Sequence, residues 1–118
     1  MEPNMRNDCA IDATMSVIEG RWKAVVLCKL MKKGTMRFNQ LMKEIEGVSP
    51  RMLTKQLKEL EKDGMVSRKT YAEIPPRVEY SLTKRGESII PVLSAIARWG
   101  VSHMTCSFIE IKNNEAHS

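Results

Sequence analysis

The sequence predicts a mainly α (α+β) domain: five helices, with a two-stranded β-hairpin between the fourth and the fifth. Three observations predict it. Apolar residues recur at spacings of three and four, most regularly at Leu53, Leu57 and Leu60. Glycines at 20, 34, 47 and 64 fall where these periodic stretches stop, as helix-ending residues do. Arg77–Leu82 instead alternates with period two, with Val78, Tyr80 and Leu82 on one face and Arg77, Glu79 and Ser81 on the other. The 118 residues suit one domain, and 42% apolar composition supplies a core, which rules out a wholly disordered chain.

The elements follow in order. Residues 1–8 are expected to form a flexible N-terminus. Ile11, Met15 and Ile18 mark a first helix over Ala10–Ile18, ended by Glu19-Gly20. A second runs over Arg21–Lys33, with Trp22, Val25, Val26, Cys28 and Leu30 assigned to its buried side. Lys32 and Lys33 close it, where the helix dipole favours cations. Thr35-Met36 is a short extended bridge. Phe38, Leu41, Met42 and Ile45 define a short third helix. The fourth has the clearest start: Ser49 is a good N-cap and Pro50 suits the first helical position. Strands follow over Met65–Tyr71 and Arg77–Leu82, joined by Ala72-Glu73-Ile74-Pro75-Pro76, whose prolines cannot pair in a sheet. Thr83 caps a last helix reaching about Met104, which Pro91 is expected to kink. Ile89, Ile90, Leu93, Ile96, Ala97, Gly100, Val101 and Met104 form its wide apolar stripe. Residues 105–118 read as a polar C-terminal tail.

Charge is unevenly placed. The chain carries +5 overall, but residues 21–85 hold +9 and the two ends together −4. A basic middle with near-neutral ends suits a domain that meets a polyanion with one face; a solvated basic surface is the blander reading. No apolar run approaches the roughly 20 residues that span a bilayer, and the first ten residues lack a secretory h-region. No membrane partner is expected, and the cytoplasm is the default compartment. Three cysteines without a CxxC argue against a disulfide scaffold. There is no nucleophile–base–orienter set, phosphate-binding glycine loop or HExxH, so neither enzymatic activity nor a cofactor is expected. His103, Cys106 and Cys9 make too loose a ligand set for a metal.

Helices three and four are joined by only Glu46–Ser49, the helix-turn-helix pattern, and the hairpin behind them supplies a wing. A helix that reads DNA must be slim, anchored from behind and polar in front. The fourth helix meets this requirement. Opposite its leucines lie Arg51, Thr54, Lys55, Lys58 and Lys62, flanked by Glu59 and Glu61. Arg51 is the candidate for a bidentate base contact, with guanine the expected partner. Ser49 and Thr54 lie beside it, and Lys55 and Lys58 suit phosphates. Arg77 at the base of the wing is placed to enter a minor groove. Arg37 and Gln40 on helix three are backbone candidates, and Lys69 and Arg68 weaker ones. The rival reading is a winged-helix module that binds protein and does not read DNA.

The chain resembles the HxlR-type winged helix-turn-helix regulators of bacteria and archaea. The resemblance spans roughly Cys9–Met104 and rests on five separated motifs in order. They are Ile18-Glu19-Gly20-Arg21-Trp22, Met36-Arg37-Phe38-Asn39-Gln40-Leu41, Val48-Ser49-Pro50-Arg51-Met52-Leu53-Thr54, Leu57-Lys58-Glu59-Leu60-Glu61 and Ile74-Pro75-Pro76-Arg77-Val78-Glu79-Tyr80-Ser81-Leu82-Thr83. It implies one winged helix-turn-helix domain over residues 9–104, acting in the cytoplasm as a homodimeric transcriptional regulator. The first and last helices would form the dimer interface. The implied partner is double-stranded DNA with a pseudo-palindromic operator, and any small-molecule effector is undetermined. The last helix is itself more apolar than one small domain needs to cover, which independently favours a two-fold partner.

The resemblance also singles out Cys9, placed like the N-terminal cysteine that senses electrophiles or oxidants in one branch of the family. Cys106 lies where some relatives carry a second cysteine. Ala10 departs from the proline that follows the cysteine in many relatives. A position just before the first helix would favour the Cys9 thiolate, whereas Asp8 and Asp12 oppose it. An inert thiol is the competing reading. A thiol oxidoreductase using Cys9 would lack both CxxC and a matched base. Cys28 is expected to pack in the core.

Overall fold

The computed structural model describes residues 3–104. The elements are α1 (Pro3–Ile18), α2 (Lys23–Lys33), β1 (Met36–Arg37), α3 (Phe38–Glu44), α4 (Pro50–Lys62), β2 (Val66–Tyr71), β3 (Arg77–Leu82) and α5 (Lys84–His103). The architecture is mainly helical with a three-stranded antiparallel sheet in the order β1-β3-β2. β2 and β3 form the hairpin, in register from Val66 opposite Leu82 to Tyr71 opposite Arg77. The Thr35-Met36 bridge becomes part of β1, whose Met36 and Arg37 lie opposite Tyr80 and Glu79. The hairpin is thereby fastened to the helix-turn-helix unit and does not project from a flexible joint.

Local chemistry sets the helix ends. The Ser49 hydroxyl accepts from the Met52 amide at 3.1 Å, and Pro50 opens α4 where its missing N–H is not needed. Gly64, at φ +76°, ends α4 in the left-handed region that glycine adopts without strain. Thr83 has two roles: its hydroxyl accepts from the Gly86 amide at 3.0 Å and donates to the Gly64 carbonyl at 2.5 Å. One side chain thus starts α5 and holds it against the end of α4. α5 then runs through Pro91, which lacks the N–H for a bond to the Glu87 carbonyl.

The core lies where α2, α3 and α4 meet the sheet and the first half of α5. Val26, Leu27, Leu30, Leu41, Leu53, Leu57, Leu60, Met65, Val66 and Leu93 are buried there. Three expectations need correction. α1 starts at Pro3, so residues expected to be a flexible N-terminus are helical from that point. They offer almost no apolar periodicity, and proline suits a first helical position. Cys9 therefore stands within α1, not before it. On α2, Val25 and Cys28 are exposed, while Leu27 and Lys23 are buried. At 100° per residue, positions 23, 26, 27 and 30 share one face, and 25 and 28 point away from it. Cys106 and the expected tail over 105–118 lie outside the described residues.

Candidate nucleic-acid interface

α4 is seated by its leucines: Leu53, Leu57 and Leu60 are buried, and Arg51, Thr54, Lys55, Lys58 and Lys62 are exposed. The expected division of the helix into an anchored and an outward face is present. The exposed residues differ in what they have left to offer. The Ser49 oxygen is used in capping, but its hydroxyl proton stays free. The Thr54 hydroxyl donates to the Pro50 carbonyl at 2.8 Å, which leaves its lone pairs free to accept. Among the described residues, no carboxylate pairs with Arg51, Lys55 or Lys58 within ion-pair distance.

Thr54 and Lys58 share an open groove of about 320 Å³ with Glu61, Arg68 and Tyr80. The fourth helix and the wing thus present cations to a common channel. Gln40 is exposed on α3, and Arg37, expected on helix three, is exposed one residue earlier in β1, where its extended backbone makes it the N-cap of α3. The Gln40 side-chain oxygen accepts from the Arg37 backbone amide at 2.8 Å, so Gln40 caps α3 while its NH₂ stays free for a partner. Beside it, a second groove of about 430 Å³ lies between Arg37, Phe38 and Asn39 and the wing loop from Glu73 to Val78.

The wing differs in detail from its sequence reading. Arg77 is half-buried. One terminal nitrogen lies 3.3 Å from Glu73, its Nε lies 3.6 Å from Glu79, and its guanidinium sits 4.0 Å from the Tyr71 ring centre. Lys69 lies 4.9 Å from the same ring. Arg77 is held among these neighbours at the base of the wing. In the loop between β2 and β3, Ile74 is fully exposed. Ile74 was not singled out from sequence, although an isoleucine between loop residues and two prolines has no strand to pack on.

Lys23 was also missed. Its side chain is only 8% exposed, and its Nζ lies 3.0 Å from Glu59 Oε2 on α4. A lysine at a buried helical position is rare unless paired, so its place beside Val26 and Leu27 was the available signal. The Lys23 hydrogen bond holds the Glu59 carboxyl below the usual carboxylate range, with Lys55 and Lys62 adding to the effect.

Away from this face, Ile11 and Met15 on α1 and Val92, Ile96, Trp99 and Val101 on α5 are exposed. Trp99 stacks on His103 with ring centres 4.6 Å apart. Cys9 and Cys28 are exposed free thiols. Among the described residues there is no cluster of three or more His, Cys, Asp or Glu able to hold a metal, and no helix long and apolar enough to cross a membrane.

Known proteins with the same pattern agree with this geometry. The HxlR-like helix-turn-helix family profile matches residues 17–107. An uncharacterised HTH-type transcriptional regulator of Methanothermobacter thermautotrophicus is 46% identical over 92 residues, covering 78% of this chain and 70% of the relative. Among solved structures, the reduced form of the redox regulator HypR superposes with a TM-score of 0.75 at 40% identity, covering 79% of this chain and 91% of HypR. The reduced form of the transcriptional regulator YodB from Bacillus subtilis gives 0.71 at 30% identity, covering 88% and 95%. The chain therefore belongs to the HxlR-like helix-turn-helix family and is a transcriptional regulator of the helix-turn-helix type.

Proposed function

We propose that the protein regulates transcription as a homodimer that binds a specific sequence in double-stranded DNA, without an enzymatic step. The observation that carries this reading is α4: sealed to the core by three leucines, with Arg51, Thr54, Lys55 and Lys58 free on its outer face. In this reading α4 lies in the major groove. Arg51 contacts a base edge, and Ser49, Lys55, Lys58, Arg37, Gln40, Arg68 and Lys69 contact the backbone. Arg77 holds the wing in shape, and Ile74 at the tip meets the minor groove, where apolar side chains can wedge. The protein works where the DNA is, in the cytoplasm.

The exposed apolar residues of α1 and α5 support the homodimer. A second copy would cover Ile11, Met15, Ile96 and Trp99 and bring two α4 helices about 34 Å apart, one turn of DNA. That spacing calls for a pseudo-palindromic operator.

Cys9 supports a redox response. It is exposed on α1, close in sequence to Ile11, and the similar structures HypR and YodB belong to a redox regulator and a transcriptional regulator. In this reading two Cys9 thiols, one from each copy, lose two electrons and two protons to an oxidant and form a disulfide. Diamide with a non-reducing gel tests this, with Cys9→Ser as the control: a covalent dimer in the wild type alone supports it.

The DNA reading is tested by gel shift against random duplex over a range of salt. Binding should weaken steeply as salt rises, because each neutralised phosphate releases counterions. Absence of such binding would favour a winged-helix module for a protein partner.

A further inference from the structure

Two acids, Glu59 and Glu61, flank the basic face of α4, and Glu59 is the one placed to work against Lys55 and Lys62. Glu59 lies one turn from Lys55 and close to one turn from Lys62, at i−4 and i+3, the spacings at which helix side chains meet. A free carboxylate there would pair with these lysines and take cations away from a polyanion. Instead it is met from behind by Lys23 of α2, at 3.0 Å.

We propose that Lys23 is a positioning residue for nucleic-acid binding: its buried ammonium captures Glu59 and so keeps Lys55 and Lys62 free for DNA phosphates. This inference rests on the DNA-binding reading above. Three features of the pair support it. Lys23 is buried while the Glu59 side chain is 41% exposed, so the cation is hidden and the acid faces the basic stripe. Both lysines lie near enough to help hold the Glu59 carboxyl below its usual range. No other acid on α4 has such a partner among the described residues: Glu61 forms no ion pair. The pair also joins α2 to α4, but a tether alone would not need charge at either end.

The test uses the full chain with one 20-base-pair duplex, measuring affinity and its salt dependence for the wild type, Lys23→Met, and Lys23→Met combined with Glu59→Gln. Freed from Lys23, Glu59 should pair with Lys55 or Lys62. Lys23→Met should then bind about 5- to 10-fold more weakly at low salt, with a salt slope shallower by about one unit. Glu59→Gln in the same chain should restore both affinity and slope to within about twofold of the wild type. A purely structural tether gives a different result, because removing the second charge cannot rebuild it. Should Lys23→Met fail to fold, Lys23→Ala carries the same test, since its methyl group likewise leaves Glu59 without a partner. Binding by Lys23→Met equal to the wild type, or a double variant as weak as the single one, overturns the proposal. If the wild type itself shows no salt-dependent binding, the DNA reading fails first, and the two failures are told apart by that control.

Discussion

The Arg77 guanidinium lies 4.0 Å from the centre of the Tyr71 ring, across the hairpin from it and between the carboxylates of Glu73 and Glu79. The residue that sequence alone would send into the minor groove is occupied in its own wing. Cation–ring pairs of this kind contribute about 0.5–1 kcal/mol when exposed and more when desolvated. If the pair acts by ordering the wing, Arg77→Ala and Tyr71→Leu should weaken DNA binding by similar amounts, and the double variant by no more than either. Additive losses in a double-mutant cycle would instead mean that Arg77 touches the DNA directly.

The reading helix makes a sharper prediction. Arg51→Ala should cost about 1–3 kcal/mol of specific binding and relax discrimination at one base position. Lys58→Ala should weaken all duplexes alike and reduce the salt slope by about one. Affinities for an operator selected from a random pool and for unrelated DNA, measured at fixed salt, separate the two. An Arg51→Ala variant with unchanged operator affinity would remove Arg51 from the base contact.

At Gly86 no side chain is tolerated. A Cβ there would run into the Met65 main-chain carbonyl, which has no rotamer through which to escape. Gly86→Ala should destabilise the fold by about 3 kcal/mol, read as a lowered urea midpoint. Ser49→Ala, which loses the α4 cap, should cost about 1 kcal/mol.

Acid should act on the Lys23–Glu59 pair. The Glu59 carboxyl is held below its usual range, chiefly by the hydrogen bond from Lys23. A group depressed in the fold stabilises above its unfolded pKa, about 4.3 for a glutamate, and loses that contribution as the pH falls through the lower folded value. Between about pH 5 and about pH 3 the wild-type melting temperature should therefore fall more than that of the variant carrying Lys23→Met and Glu59→Gln. Parallel falls would show that the pair does not contribute to stability.

The apolar faces of α1 and α5 predict association. Trp99→Glu together with Ile96→Glu should turn a dimer into a monomer in sedimentation, because two charges would be buried at the seam. A wild type that sediments as a monomer at high concentration would contradict the homodimer.

Much of this was legible in the chain. Ser49-Pro50 with three spaced leucines placed α4 and its outward cations, and Thr83 placed the start of α5. What escaped has physical causes. Pro3–Cys9 carries no apolar stripe, so the helix there left no periodic mark. β1 is two residues long, too short for an alternation, and shows only through its pairing with β3. On α2, placing Val25 and Cys28 on the buried side set the helix face wrongly and passed over both Leu27 and the buried lysine. In the candidate site, sequence offered basic residues that the fold leaves on one side of the molecule, but not their engagements. The capping role of Gln40 and the ring and carboxylates around Arg77 arise from contacts that only the folded hairpin and turn create.

In the proposed function, two copies of α4 meet one duplex together. Hydroxyl-radical footprinting of the wild type on a selected operator tests it most directly. Two protected patches are expected on one face of the duplex, their centres about one helical turn, roughly 10 base pairs, apart. A single patch, or protection that does not repeat with the helical turn, would contradict it.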